Sequence, residues 1–277
     1  MTATESASAL PEQCTTRPGT PMIGPYSTNQ MDDFYHALHR GEAKPTGIMN
    51  LLQHLLIAER CPEGATVLDV CCGRGLALPL LHRYAPHILR YVGLDISDEN
   101  VSEAHDMLAR CRAAYGDTFA VEFVHCDVSE PFTVAQADVA IYTSALEHLP
   151  GPLGAASLRH TADALGPGGV LYLSTPATEG DPPRPLQHRV HVYEWSRQET
   201  IDALESLGLV VEQEIGLLPP GQPVTLATEL AERYGHGAAT WYYDLVERVP
   251  AALLGTITAA CAPRVATEIL YVARKPL

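Results

Sequence analysis

The chain has 277 residues, 46% of them apolar, enough for one sizeable α/β domain with additions but not for a second full domain. Its formal charge of −15, with scattered cations, repels phosphate backbones and anionic membranes and so argues against a nucleic-acid or membrane partner. Seven cysteines without a Cys-x-x-Cys pair point to reduced thiols rather than a disulfide framework or zinc site, and with no apolar leader or spanning run we expect a soluble, cytoplasmic protein.

Residues 1–28, rich in Thr, Ser, Ala and Pro, are expected to form a flexible tail ahead of a single domain over 29–277. Asp32 to His39 suits one or two helical turns, and after Pro45 the residues Ile48, Leu51, Leu52, Leu55 and Leu56 fall on one helical face. Val67 to Val70 reads as a strand, followed by a turn with Gly73 and Gly75 and then a helix. Lacking Cβ atoms, these glycines let a ligand lie against the main chain, and Asp69 is expected to face the same crevice. The bland alternative is a tight strand-to-helix turn with no ligand. A second strand, Tyr91 to Ile96, carries Asp95, an acid that can take both hydroxyls of a ribose. Leu78 stands where a dinucleotide fingerprint needs its third glycine. Ser97 caps the next helix, with Asp98 and Glu99 in its first turn and Val101, Ala104, Leu108 and Cys111 inward. The third apolar stretch, Ala120 to Val128, brings Asp127, suited to accept a hydrogen bond from an exocyclic amine such as adenine N6.

Val139 to Thr143 is the fourth strand, and the turn Ser144 to Pro150 lies at its carboxyl end, where ligands meet in open α/β sheets. Asp138, at the opposite end, reads as structural. A helix over Leu153–Leu165 stops at Gly166-Pro167-Gly168-Gly169, and Val170 to Ser174 forms the fifth strand. The proline-rich loop Pro176 to Val190 is of a length that is usually functional or mobile. Ser196-Arg197-Gln198-Glu199 is a capping box for a helix with Ile201, Leu204 and Leu207 inward, closed by Gly208. Leu209 to Gly216 supplies the sixth strand and Glu268 to Arg274 the last. Between them, 217–265 reads as an insertion with helices over Val224–Tyr234 and Trp241–Val249. Its Trp241-Tyr242-Tyr243 cluster either docks on the core or a subunit or stacks on an aromatic acceptor.

Six motifs in this order resemble the class I S-adenosylmethionine (SAM) dependent methyltransferases of the small-molecule, natural-product type. They are Leu68-Asp69-Val70-Cys71-Cys72-Gly73-Arg74-Gly75, Gly93-Leu94-Asp95-Ile96-Ser97, Cys126-Asp127-Val128, Asp138 to Pro150, Gly166 to Pro176, and His191-Val192-Tyr193-Glu194-Trp195-Ser196. The resemblance implies an α/β fold: a doubly wound, seven-stranded, mostly parallel Rossmann-like sheet with a helical lid at 29–60 and the helical insertion at 217–265. It implies SAM as cofactor, held by Asp69, Cys71, Gly73, Gly75, Asp95, Ile96, Asp127, Val128, Thr143 and Ser144. Cys71 replaces the first glycine of the family's loop, from which an ordinary φ is expected there.

A hydroxyl or ammonium acceptor must lose a proton, which calls for a base near the methyl group. His191 is the first candidate and Glu147 and His148 the alternatives, although His191 could instead only anchor its loop. Tyr26, Tyr35, His188, Tyr193 and Trp241 are candidates to face the acceptor. No metal is expected, because His188 and His191 sit in a proline-rich loop without further ligands. The function implied is methyl transfer to an O, N or C atom of a small molecule, in specialised metabolism. A catalytically inactive SAM-binding partner or regulatory protein is the alternative. Against a nucleic-acid or protein-amide acceptor stand the charge and the absence of an Asn-Pro-Pro-Tyr-like run after the fourth strand, where Thr143-Ser144-Ala145-Leu146 occurs. Oligomeric state is left open, a homodimer being one form.

Overall fold

The computed structural model describes residues 45–277. Tyr26, Tyr35, the tail 1–28 and the helical turns expected over Asp32–His39 lie outside the described residues. The strands are β1 (Thr66–Val70), β2 (Arg90–Asp95), β3 (Ala120–His125), β4 (Ala137–Thr143), β5 (Leu165–Pro176), β6 (Val210–Leu218) and β7 (Glu268–Arg274). They form one sheet in the order β3-β2-β1-β4-β5-β7-β6. β7 runs antiparallel to both β5 and β6, and the other pairs are parallel. Central strands are buried on both faces, so they read as apolar runs without alternation: Val67, Leu68 and Val70 in β1, and Val139, Ala140, Ile141 and Tyr142 in β4. The strand order reverses between β1 and β4, so the loops leaving their carboxyl ends part to opposite faces and open a crevice between them.

Two cores sandwich the sheet. Helices α1 (Pro45–Arg60), α2 (Leu78–Tyr84) and α3 (Asp98–Tyr115) cover one face through Ile57, Leu81 and Leu108. On the other face lie α4 (Gly151–Ala164) and α5 (Arg197–Ser206), anchored by Leu158 and Leu204. Ser97 caps α3 by accepting from the Asn100 N–H at 3.2 Å, and the Ser196/Glu199 capping box opens α5. Asp138 accepts from the Thr66 N–H at 2.8 Å, a tie between strand starts as its position implied.

The expected face of α1 is displaced. The buried residues are Met49, Gln53, His54, Ile57 and Ala58, whereas Leu51 is 53% exposed. Leu52, Leu55 and Leu56 instead line a groove shared with Ile215 of β6 and Ile257 of the insertion. The helix packs against α2, β6 and the last helix of the insertion rather than against one surface, and a single hydrophobic stripe could not reveal that. In the part of the expected lid over 45–60, Ile57 and Ala58 are wholly buried; 29–44 lies outside the described residues.

The insertion contains three helices where two were expected: α6 (Pro223–Tyr234), α7 (His236–Val246) and α8 (Ala251–Ala259). Pro250 stands at the N-cap of α8, separating a helix whose apolar and hydroxyl residues show no clean period. Leu226, Leu230, Tyr242, Leu254 and Ala262 form its own small core, and α8 packs against β6 and α1. Among the described residues no helix is long and apolar enough to cross a membrane.

Candidate active site

β1 passes to α2 through a loop that turns on three residues in the left-handed region: Cys71 at φ 57°, Gly73 at 54° and Gly75 at 73°. The ordinary φ expected at Cys71 is therefore not found. The chain must reverse here so that the Cys72 N–H reaches the Leu94 carbonyl at 2.9 Å and the Gly73 N–H reaches Asp95 Oδ2 at 2.8 Å. Cysteine occupies a position suited to glycine at a cost of about 1 kcal/mol. The two glycines serve different ends. A Cβ on Gly73 would meet nothing within 4 Å, which leaves that face open to a ligand, whereas one on Gly75 would press Leu78 at 3.0 Å and Ala104 at 3.4 Å. Gly75 thus lets α2 and α3 close together instead of lining the crevice.

Asp69 lies buried beneath this loop, not along the crevice as expected, and accepts from the Tyr91 hydroxyl at 2.6 Å. Burial pushes its carboxyl up to about 7, offset in part by that hydrogen bond and reinforced by the charge of Asp95. Burial also raises the thiols, Cys71 to about 12 and Cys72 further, so neither is a thiolate nucleophile. Asp95 Oδ1 accepts from the Ser97 N–H at 2.9 Å and from Asn100 Nδ2 at 3.1 Å. With Gly73 on Oδ2, three of the roughly four acceptor positions of the carboxylate are engaged by the protein itself. Asp127 is held by Ser129 through Oδ1, with Oδ2 turned to no partner among the described residues. Beside these acids Ile96 is 62% exposed and Val128 buried.

A second group gathers at the carboxyl ends of β4 and β5. Ser144, at φ 50°, donates its N–H to the Ser174 carbonyl at 3.0 Å and its hydroxyl to buried Glu268 at 3.4 Å. Thr143 Oγ1 is hydrogen-bonded to His54 Nε2 of α1 at 3.1 Å, and burial lowers the pKa of that imidazole to about 4. A 3-10 turn, Leu146–His148, sends Glu147 inward and His148 outward. The Glu147 carbonyl accepts from the N–H groups of Val192 at 2.8 Å and Tyr193 at 3.2 Å. These bonds fasten the segment that carries His191 to the turn after β4.

Glu194, wholly buried, braces the long loop. It accepts from His191 Nδ1 and the Thr178 hydroxyl, and from the Gln187 N–H at 2.7 Å. Arg184 donates to the Gly180 and Glu194 carbonyls, each at 2.6 Å, and pairs with Glu199 at 2.6 Å. Donation of Nδ1–H to Glu194 fixes the tautomer of His191 and leaves its lone pair on Nε2. The His148 and His188 rings stand 5.3 and 5.4 Å from that of His191. Glu147 carries a carboxyl that burial pushes up to about 7, opposed by its hydrogen bonds and by His191.

Residues 42–214 match the profile of a family described as a methyltransferase domain. The chain belongs to that methyltransferase family. Among curated relatives, the ubiquinone biosynthesis O-methyltransferase of Xylella fastidiosa (strain 9a5c) is 33% identical over 138 residues, covering 49% of this chain and 52% of the relative. The chain thus spans about half the length of the curated relatives it matches. Among solved structures, the [4+2]-cyclase SpnF superposes with a TM-score of 0.54 at 20% identity, covering 82% of this chain and 81% of that one. The 1,6-didemethyltoxoflavin-N1-methyltransferase of Burkholderia thailandensis gives 0.50 at 19%, covering 95% and 94%. Both share the class I, Rossmann-like fold.

The described residues fit SAM: an open face at Gly73, an oxygen of Asp127 without a partner among the described residues, and an exposed apolar Ile96 next to Asp95 in the chain. Of the acceptor-facing candidates, His188 stands beside His191, whereas Tyr193 is committed elsewhere. Its hydroxyl donates to Glu199 at 2.9 Å and its ring packs on Trp195 and Gly151. Tyr242 docks the insertion, and Trp241 is left 54% exposed on α7, whose partners are α6 and α8. Sequence reasoning missed His54, Glu194 and Glu268 as site residues. Only Glu194 carried a local signal, its i+3 spacing from His191.

Proposed function

We propose that the chain transfers the methyl group of SAM to a hydroxyl oxygen of a small-molecule acceptor. When bound, SAM supplies an electrophilic methyl group on a sulfonium that is already a good leaving group. Gly73, Asp95, Ile96 and Asp127 would hold its nucleoside part, and the turn Thr143–His148 flanks the methionine end. The observation that carries the reading is the His191–Glu194 pair beside Glu147 at the carboxyl end of β4. A buried carboxylate orients the imidazole so that Nε2 can take the proton a hydroxyl must lose on alkylation. Behind that turn the Ser144 hydroxyl donates to buried Glu268. An oxygen acceptor also accords with the O-methyltransferase relative, while the specialised-metabolism setting rests on the resemblance of the motifs.

Incubation with methyl-labelled SAM and panels of phenols, amines and activated-carbon acceptors tests this. Label should pass to a phenol. His191→Ala should lower turnover about a hundredfold while leaving SAM affinity within about a factor of two. SAM binding without transfer to any acceptor would replace this reading by a non-catalytic SAM-binding role.

A further inference from the structure

We propose that Glu147, His148 and His191 form a site for one divalent transition-metal ion, which holds the acceptor oxygen beside the methyl group. This rests on the reading of the chain as an oxygen methyltransferase. One potential ligand atom from each of the three lies within 4.8 Å of the other two. Around an ion with ligands at about 2.1 Å such atoms stand about 3 to 3.4 Å apart, so small side-chain rotations close the site. Two imidazoles and one carboxylate suit zinc, iron(II), cobalt or manganese better than magnesium or calcium, and three protein ligands leave positions for an acceptor oxygen.

The surroundings are those of a ligand set. Nδ1 of His191 is engaged by Glu194 and Nδ1 of His148 meets the Val190 carbonyl at 3.3 Å. A carboxylate or a carbonyl on the distal nitrogen is how metal-binding histidines are oriented, and in both rings it directs Nε2 to the ion. Glu147 is buried with a single side-chain hydrogen bond, from Thr175 at 3.3 Å, and Glu194 and Glu268 are buried near it. None of the ion pairs among the described residues engages Glu147 or Glu268 with a cation. A divalent ion at this point would favour the ionised, ligating form of Glu147. By polarising the bound hydroxyl it would lower the acceptor's pKa, and with Nε2 of His191 on the ion this replaces the proton-accepting role given above to that imidazole. The O–H bond breaks with its proton passing to water, and the freed oxygen pair forms the C–O bond. The methyl carbon's bond to sulfur breaks with its electron pair retained by sulfur, so no redox partner is needed.

The test uses the full chain after chelator treatment and dialysis. Zinc chloride is titrated by calorimetry, and cobalt(II) chloride is followed by its visible absorption. One equivalent of zinc should bind and cobalt should give a ligand-field band. His148→Ala and His191→Ala should each weaken zinc by about a hundredfold, and Glu194→Gln by about tenfold. Circular dichroism checks that each variant folds. Absence of stoichiometric binding, or binding indifferent to both histidine substitutions, would overturn the site. Transfer that persists in chelator with no bound ion would reject the ion and keep the methyl-transfer reading. An ion bound at these three residues without transfer to any acceptor would do the reverse.

Discussion

Cys71 shows how a single position can be chemically permitted and still carry strain. Its left-handed φ of 57° is imposed by hydrogen bonds on either side of the loop. Glycine there would relieve about 1 kcal/mol of local strain and give back about 0.4 to 1 kcal/mol as unfolded-chain entropy. Cys71→Gly should therefore unfold in urea within about 1 kcal/mol of the parent, whereas Cys71→Val, whose branched Cβ crowds the left-handed region, should lose about 2 kcal/mol or more. Equal losses in the two variants would show that packing and not φ governs the site. The substitution in the glycine loop was legible as a departure, but its φ was not, because the bonds that set it end on Leu94 and Asp95 of another strand. Glu268 was illegible for the same reason: it is one more acid before an apolar run until β7 brings it against Ser144, just past the end of β4.

At the scale of the element, α1 shows what periodicity can and cannot yield. The helix itself was readable, but its buried face contains His54, which bonds Thr143 of β4, and Gln53, which lines the groove toward β6 and α8 together with the leucines. His54 gives a pH signature. Its folded pKa, about 4, lies below the unfolded value near 6.5, so the unfolded chain binds the extra proton first. The neutral-imidazole stability is fully present above about pH 6.5 and is lost as pH falls toward 4, by about 3 kcal/mol at most. Asp69, raised to about 7, works in the opposite sense, its stability falling as pH climbs from about 4 to 7. The informative quantity is therefore a difference. Subtracting the urea stability of His54→Leu from that of the parent should give a curve that rises between pH 4 and 6.5 and is flat above. A flat difference throughout would mean that His54 charges freely in the folded state.

Taken whole, the sheet was the most legible part, since apolar runs, caps and motif order all pointed to one topology and β7 only had to be placed antiparallel. The insertion was the least, because α8 is held by the partners it meets on β6 and α1 and not by a pattern of its own. That packing makes the insertion part of one cooperative unit rather than an appended cap. Tyr242→Ala should lower a single thermal or urea transition by about 3 kcal/mol, read by circular dichroism and tryptophan fluorescence together. Two separated transitions would show that the insertion melts alone.

The protonated state of the loop thiols bears on how the protein meets electrophiles. Cys71 and Cys72, in the loop after β1, are both held as neutral thiols, and Cys61 and Cys111 are buried with raised pKa values as well. Cys261 is exposed. Brief iodoacetamide treatment at pH 7.5 followed by peptide mass mapping should mark Cys261 well ahead of these four. A cofactor loop built on two cysteines would then tolerate peroxide and alkylating metabolites, with the damage directed to the rim of the insertion.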